Sequence, residues 1–450
     1  MDAHQIESRV AGVLRRHVEP GQRLTVGLSG GLDSVVLLHL LKQLAGALDF
    51  RLAAHHVNHQ ISPNAPAWVD FCANICQAWD VPIATTAVDV PRKASDGLEA
   101  AARHERYRVL DGLDADFIVL AHHQDDQAET FLLQLFRGAG VLGLSSMPEA
   151  RVGQRRCRPA SSSPVYLRPL LDVPRSSIKD YALKHGLKWV EDESNADRKF
   201  ARNFFRHEIF PLLNKRFPAG VANVAEAAAH CAEASQLVDE LAGLDAQTGL
   251  RDGRLDVAAL DRLSPARAKN LLRFFLRSHG LPMPDQGRLQ EMLRQLCTAR
   301  ADRQLRLLHG GLELRRFRNQ IYAVRPVAAR KQQADFRWHG ETEIMFPELG
   351  GRLCFVPQVG MGVDAGQLRD KRLSLRCRSG GERLKLGRNR PTRSLKNLLQ
   401  ESAMPPWGRE HLPLLYVDNR LAWVADVGLD VEFQTPQGEP GVLLKWESNG

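Results

Sequence analysis

Six residues, Ser29-Gly30-Gly31-Leu32-Asp33-Ser34, most constrain what this chain can fold into. They follow Leu24-Thr25-Val26-Gly27-Leu28, an apolar run that reads as a buried strand. They precede Val35-Val36-Leu37-Leu38-His39-Leu40-Leu41, which reads as a helix packed on a sheet. Strand, glycine turn, helix is the context in which a loop receives phosphate. Two glycines let the backbone turn tightly and let an oxyanion approach its N–H groups, and the helix N-terminus adds partial positive charge. Ser29 and Ser34 add hydroxyl donors. A Ser/Gly turn with Asp33 merely favouring the helix dipole is the plainer alternative. The stretch lacks the lysine of G-x-x-x-x-G-K-[ST] and does not fit G-x-G-x-x-G.

The pattern around it alternates strand and helix up to about Gly140. Residues 2–17 read as a short amphipathic helix. Arg51 to Val57, Val81 to Val88 and Phe117 to Ala121 read as further strands. Ala65 to Trp79, Leu98 to Gly112 and Asp125 to Arg137 read as the helices between and after them. Such alternation implies an α/β domain with a doubly wound, mostly parallel sheet, whose ligands lie beyond the carboxyl ends of the strands. The loops after Leu28, Val57, Val88 and Ala121 should therefore line one crevice.

Beyond it, Arg151 to Ser163 is basic and Ser-rich and reads as a loop or hairpin tip. Pro174 to His185 reads as a helix, and Phe200 to Phe210 as another, closed by Pro211. An Ala-rich helix from about Ala219 to Leu244 looks like a connector. Helices at Pro265 to His279, with Ser264 as N-cap, and at Gln286 to Arg294 mix with strand-like pieces at Gln304 to Leu308 and Leu312 to Arg316. From Phe336 onward short strands predominate, with one helix at Ser394 to Ser402. The expected domains are 1–215 (catalytic), 216–246 (helical connector), 247–327 (small α+β, substrate-binding) and 336–450 (small, β-rich α+β, basic).

The chain has 450 residues and a net charge of +9, which hints at a polyanionic partner. Most of the excess falls between Lys371 and Glu410, where eleven basic residues face three acids. Seven scattered cysteines argue against a disulfide framework and fit a reducing cytoplasm. Cys72 and Cys76, on the helix with Phe71, Ile75 and Trp79, read as core. Met1-Asp2-Ala3-His4-Gln5 lacks the pattern of a secretory signal, and no apolar run approaches a membrane span.

A second chemical group is Ala121-His122-His123-Gln124-Asp125-Asp126-Gln127-Ala128-Glu129-Thr130, at the start of the helix after the fourth strand. Acids are favoured at a helix N-terminus, which would suffice for Asp125. Paired acids with two histidines and Glu129 exceed what a cap requires. They could hold Mg²⁺ with phosphates or bind an ammonium group. Zinc fits poorly, because no cysteine lies nearby at ligand spacing.

The Ser-Gly-Gly-x-Asp-Ser stretch resembles the PP-loop of the ATP-pyrophosphatases, which hold the pyrophosphate of ATP and form an adenylate. The ordered set of motifs is narrower. Ala121-His122-His123 with Asp125-Asp126-Gln127, Glu129-Thr130 and Leu135-Phe136-Arg137-Gly138-Ala139-Gly140 resembles the tRNA(Ile)-lysidine synthase family. So do His56-Val57-Asn58-His59, Gly97 to Arg103 with Arg106-Tyr107, and Arg168-Pro169-Leu170-Leu171. Glu191 to Asn195, Ala201-Arg202-Asn203, Leu395-Lys396, Pro405-Pro406-Trp407 and Leu412-Pro413-Leu414 complete it. The family often has Asp or His in place of Asn58, and Pro in place of Glu193.

The resemblance implies a concrete reaction. An ATP-dependent ligase adenylates the carbonyl oxygen at carbon 2 of the wobble cytidine of an isoleucine tRNA with a CAU anticodon. The ε-amine of free lysine then displaces AMP to give lysidine. Ser29, Gly30, Gly31, Leu32, Asp33 and Ser34 would bind ATP. Asp125, Asp126 and Glu129 would take the lysine ammonium, and Arg103, His122 and Asp126 would be catalytic. Asp33 and Asp126 would hold Mg²⁺ with the phosphates. Arg202, Asn203 and Arg206 could meet the tRNA or lock the sheet domain to its connector. Lys385, Arg393, Lys396 and Trp407 would meet the tRNA. Arg103 could equally be a solvated charge, and Asp192 and Asn195 plain caps. A homodimer is possible, and no membrane partner is expected. The competing readings are another PP-loop enzyme, such as a tRNA cytidine thiolase or an amidoligase, and a non-catalytic RNA-binding module. The thiolase would need a C-x-x-C set for an iron–sulfur cluster, and none is present.

Overall fold

The structure is a computed structural model that describes residues 1–91, 97–153, 163–191, 193, 201–299, 305–326, 332–369, 371–402 and 404–448. The Ser-rich tip at 154–162, Asp192 and Asn195 lie outside the described residues. The chain divides into two compact units, Met1–Leu241 and Ala242–Gly450.

The first unit is built on a six-stranded sheet of β1 (Arg23–Gly27), β2 (Arg51–Asn58), β3 (Ile83–Ala87), β4 (Phe117–Val119), β5 (Ala150–Val152) and β6 (Val165–Leu167). The spatial order is β3-β2-β1-β4-β6-β5, parallel except for the edge strand β5. Val26 of β1 is in register with Ala54 of β2 on one side and Val119 of β4 on the other. The chain leaves β1 toward β2 and later returns to β4, so the strand order reverses between β1 and β4. At such a switch point the adjoining loops part and open a crevice at the carboxyl ends.

Strand geometry sends alternate side chains to opposite faces. Phe117 and Val119 join the core beneath α1 (Ala3–His17), α2 (Leu32–Leu48), α3 (Ala65–Ala78) and α7 (Arg175–Lys184). Ile118 faces Leu110, Tyr107 and Tyr166 on the other side, where α4 (Leu98–Asp111) packs. The central helix α2 is apolar nearly all round, and Leu37, Leu38, Leu40 and Leu41 are wholly buried, as burial on the inner face of a layered fold requires. α5 (Gln124–Phe136) opens after β4, and the single turn α6 (Val141–Leu144) follows it.

The expectation that Pro211 closes a helix is corrected. α8 (Ala201–Phe204) runs through a π turn at Phe205–Ile209 into α9 (Phe210–Arg216), with Pro211 in the first turn of α9. The Phe210 N–H donates to Phe205 O, five residues back. Pro211, which has no N–H to donate, follows directly on that change of register. The connector helix, α10, is also longer than expected, running Gly220–Gly249.

In the second unit, β7 (Leu250–Arg251), β8 (Arg254–Asp256), β9 (Arg306–His309), β10 (Leu312–Phe317) and β11 (Gln320–Val324) form an antiparallel sheet ordered β7-β8-β11-β10-β9. It shares a core with α11 (Val257–Arg262), α12 (Pro265–Ser278) and α13 (Gln286–Thr298). Ser264 caps α12, its Oγ accepting from the Arg267 N–H. The remainder is β-rich. A five-stranded and a four-stranded sheet enclose Leu353, Phe355, Leu373, Leu375, Leu414 and Val424, beside a helix at Leu395–Glu401. No helix among the described residues is long and apolar enough to cross a membrane.

Leu38→Ala removes a wholly buried side chain from the most enclosed helix. It should cost about 3 kcal/mol, read as a lower denaturant midpoint at unchanged slope. A loss under about 0.5 kcal/mol would contradict the assigned core.

Candidate functional site

The loop after β1 is held open by its own side chains. Ser34 Oγ donates to Gly31 O (2.9 Å) and lies 3.1 Å from Ser29 Oγ, while the Gly31 N–H donates to Ser29 Oγ (3.3 Å). Gly31 caps α2 without any side-chain hydrogen bond, so no side-chain cap occupies the first-turn amides, as an anion seat requires. Gly30 sits at φ +83°, and a Cβ there would come 2.9 Å from Val190 Cγ2 and 3.2 Å from Cys72 Sγ. The loop is thus clamped from below. His56 adds support, its Nδ1 lying 2.9 Å from Leu28 O. The Cys72 thiol is buried and pushed up to about 12 by burial, so it stays protonated. The expectation that Cys72 and Cys76 are core holds, since both are wholly buried.

The loop after β4 faces this one across the switch point, and two adjacent histidines divide the space. His123 is buried, with Nε2 3.7 Å from Asp33 Oδ2 and 3.5 Å from Asp126 Oδ2, and Nδ1 3.9 Å from Asp125 Oδ1. Burial opposes its charge, but Asp126, Asp33 and Asp125 win, and its pKa is raised. For Asp33, burial likewise opposes ionisation. The hydrogen bond and charge of His123, with Arg175 and Arg206, outweigh it and lower the pKa. Asp33 Oδ1 is buried with no hydrogen-bond partner.

Behind the acids stands Arg206. Its Nε donates to Glu129 Oε1 (2.8 Å) and its Nη2 to Asp126 Oδ1 (3.2 Å). Glu129 is wholly buried, and its Oε2 has no partner. Burial, partly offset by Arg206, pushes its carboxyl up to about 7. Asp125 accepts from the Arg175 N–H (3.0 Å).

His122 looks the other way. Burial pushes it down to about 3; Asp126 opposes that, while Arg168, Arg106 and Arg103 reinforce it. It is therefore neutral at physiological pH and a weak base. Arg103 stacks on Tyr107, its guanidinium 5.0 Å from the ring centre.

The crevice thus gathers Ser29 to Ser34, His122, Asp125, Asp126 and Glu129, with Arg103 on the flank of His122. Arg206, considered for tRNA, turns inward onto carboxylates, and Asn203 is buried. Arg202 lies near enough to Glu129 to stabilise its charged form. His123 was read from sequence only as a member of the group with the paired acids, with no role of its own, and Arg175 was not singled out. The available signal for His123 was its N-cap position, where the Asp126 carboxylate accepts its N–H (3.0 Å). Among the described residues no three His, Cys, Asp or Glu side chains form a metal cluster. A divalent ion would therefore lean on phosphate oxygens and water as well as Asp33 and Asp126, the coordination Mg²⁺ favours.

In the second unit, Arg393 pairs with Glu401, while Lys396 is exposed and Lys385 half-buried. The basic window is also less positive in space than along the chain. Asp418 and Asp335, both outside it, pair with Lys371 and Arg372. Trp407 packs edge-on against Tyr322 (5.3 Å) and Phe317 (6.2 Å), beneath the Arg315 guanidinium (5.2 Å).

Three family models match the chain: a PP-loop domain over residues 2–213, a TilS substrate binding domain over 255–322, and a TilS substrate C-terminal domain over 373–446. The chain is 43% identical over 433 residues to a tRNA(Ile)-lysidine synthase of Nitrosomonas europaea, covering 96% of this chain and 93% of the relative. It is 41% identical over 436 residues to one of Aromatoleum aromaticum, covering 96% and 98%.

Gly30→Ala forces a side chain against Val190 and Cys72 at a left-handed backbone position. It should raise the KM for ATP or lower turnover by about tenfold or more, with a tRNA dissociation constant changed less than about twofold. Unchanged ATP kinetics would remove the loop from the site.

Proposed function

The chain belongs to the tRNA(Ile)-lysidine synthase family, and from that premise we propose how its residues divide the reaction. It is a PP-loop ATP-using ligase acting on tRNA; the thiolase, amidoligase and non-catalytic alternatives are not favoured. The observation that carries the division of labour is the pair His122–His123, which sets an acidic half of one crevice against a basic half.

ATP enters with its β- and γ-phosphates over Ser29–Ser34, where the α2 amides and both hydroxyls hold pyrophosphate in line for departure. The cytidine O2 attacks the α-phosphorus, the bond to pyrophosphate breaks, and the base becomes an adenylate. Mg²⁺, with Asp33 and Asp126 as its protein ligands, would neutralise phosphate charge. The buried Asp33 Oδ1, which accepts no hydrogen bond among the described residues and faces the Arg175 guanidinium at 3.9 Å, fits that role. Arg103, on the flank of His122, is assigned to offset charge on the α-phosphate.

Free lysine then places its ε-ammonium among Asp125, Asp126 and Glu129. The amine must lose a proton before it attacks carbon 2 and AMP departs with the oxygen. Glu129 Oε2 is the best acceptor. It is buried and unpartnered, on a carboxyl pushed up to about 7, whereas His122 is held near 3. His122 instead serves as a neutral hydrogen-bonding wall against the pyrimidine. Exposed Lys396, with Lys385, Arg393, Arg202 and Trp407, is assigned to tRNA contact, and a cytoplasmic setting to the reaction.

Two tests follow from this scheme. AMP release should require both tRNA(Ile) with a CAU anticodon and lysine. Asp33→Ala and Asp126→Ala should each lower it by about 100-fold or more while tRNA still binds. Wild-type-like rates in either variant would remove that residue from the scheme. Protonating Glu129 removes the acceptor, so turnover at saturating lysine should fall as pH drops through about 7. Glu129→Gln should lower the plateau and flatten that limb. Retention of the limb in Glu129→Gln would assign the proton elsewhere.

A further inference from the structure

On the basic side of His122, four guanidinium groups surround one phenol. Arg103, Arg106 and Arg151 lie 5.0, 5.8 and 5.6 Å from the centre of the Tyr107 ring. The Arg103 Nη2 donates to Tyr107 Oη at 3.4 Å. Arg168 completes the group. It is only 2% exposed, its Nη1 donates to Pro148 O (2.8 Å), and its Nε is buried without a partner. Tyr107 leans on Tyr166 of β6, with ring centres 5.2 Å apart, and Tyr166 Oη is anchored by Asp111 Oδ1 at 2.8 Å.

A neutral ring offers cations its face, and the positive potential they create registers on it. Burial would raise the Tyr107 pKa, yet Arg103, Arg168 and Arg106 bring it below the ordinary value. A nearly buried arginine with an unpartnered Nε is costly unless an anion arrives to meet it. Guanidinium forks match phosphate oxygens in geometry as well as charge. The cluster packs with Leu110, Ile118 and Tyr166, on the opposite face of the sheet from the α2 core that carries the Ser29–Ser34 loop. The phosphates of ATP thus have their own seat. The basic seat is reached from outside through the exposed Arg151 on β5.

We propose that Tyr107, Arg151 and Arg168, with Arg106, form a phosphodiester subsite that grips the RNA backbone beside the target cytidine, with Tyr107 as its positioning residue. This rests on the reading of the crevice as an RNA-modifying site. Its test is a binding measurement, which does not need turnover and so fails separately from that reading.

The dissociation constant of full-length protein for tRNA(Ile) with a CAU anticodon would be measured across a salt series, with the KM for ATP measured in parallel. Arg151→Ala, at an exposed position, should weaken tRNA binding several-fold and shallow the log–log salt slope by about 0.7, as one lost phosphate contact predicts. Tyr107→Leu should weaken it by about tenfold, and Tyr107→Phe, which keeps the ring, should restore most of the loss. The KM for ATP should stay within about twofold throughout. Unchanged tRNA affinity and slope in Arg151→Ala and Tyr107→Leu would overturn the proposal. So would a loss confined to the KM for ATP, which would assign the cluster to a nucleotide phosphate instead.

Discussion

The site depends on the parting of the chain between β1 and β4. These neighbouring strands share register at Val26 and Val119, but their onward connections leave for opposite ends of the sheet. No helix can cover both loops, so the carboxyl ends stay open there. Everything chemical is hung on those two loops. One supplies amides and hydroxyls, the other histidines and acids. The support is correspondingly rigid. The apolar α2 is buried nearly all round, and His56, Cys72 and Val190 back the glycine turn from beneath.

Sequence adjacency then does electrostatic work. His122 and His123 follow one another, yet one pKa is lowered and the other raised. Each is buried, so each would be neutral by desolvation alone. Three carboxylates around His123 reverse that outcome, and three arginines beyond His122 reinforce it. A substrate carrying both a cationic amine and a phosphate backbone needs such a division. A single averaged environment would attract one and repel the other. Different elements supply the two halves: α4 and the turn after β6 bring the arginines, and the first turns of α2 and α5 the acids.

Much of this was legible in the sequence. The strand–helix alternation gave the layer architecture, since periods of 2 and 3.6 survive in any apolar face. The Ser29–Ser34 loop and the Asp125–Glu129 group were visible because chemistry concentrated at a strand end or helix start breaks those periods. What was hidden depends on contacts distant in sequence. The role of His123 arises only when Asp33, ninety residues earlier, is brought beside it. The pairing of Lys371 with Asp418 and of Arg372 with Asp335 is set by strand neighbours, so charge counted along the chain overstated charge in space. Trp407 read as an RNA-facing ring, but its edge-on contacts to Tyr322 and Phe317 show that it also ties its short helix to the β10–β11 hairpin. No periodicity reports that.

The segment from Ala201 to Arg216 shows how a local irregularity serves the site. A regular helix would place Arg202 and Arg206 on one face, as the spacing suggests. The chain instead inserts a π turn from Phe205 to Ile209, with Phe210 bonded five residues back, and resumes α-helix with Pro211 in its first turn. Proline falls where the ladder changes register, and it has no N–H of its own to satisfy. Arg206 lies on the π turn, with its guanidinium on Glu129 and Asp126. π turns recur at functional positions because they re-aim a side chain without ending the helix. Here the re-aimed residue is the cation that keeps a wholly buried glutamate close to ionising. Without Arg206, desolvation would hold Glu129 protonated and of no use as a proton acceptor.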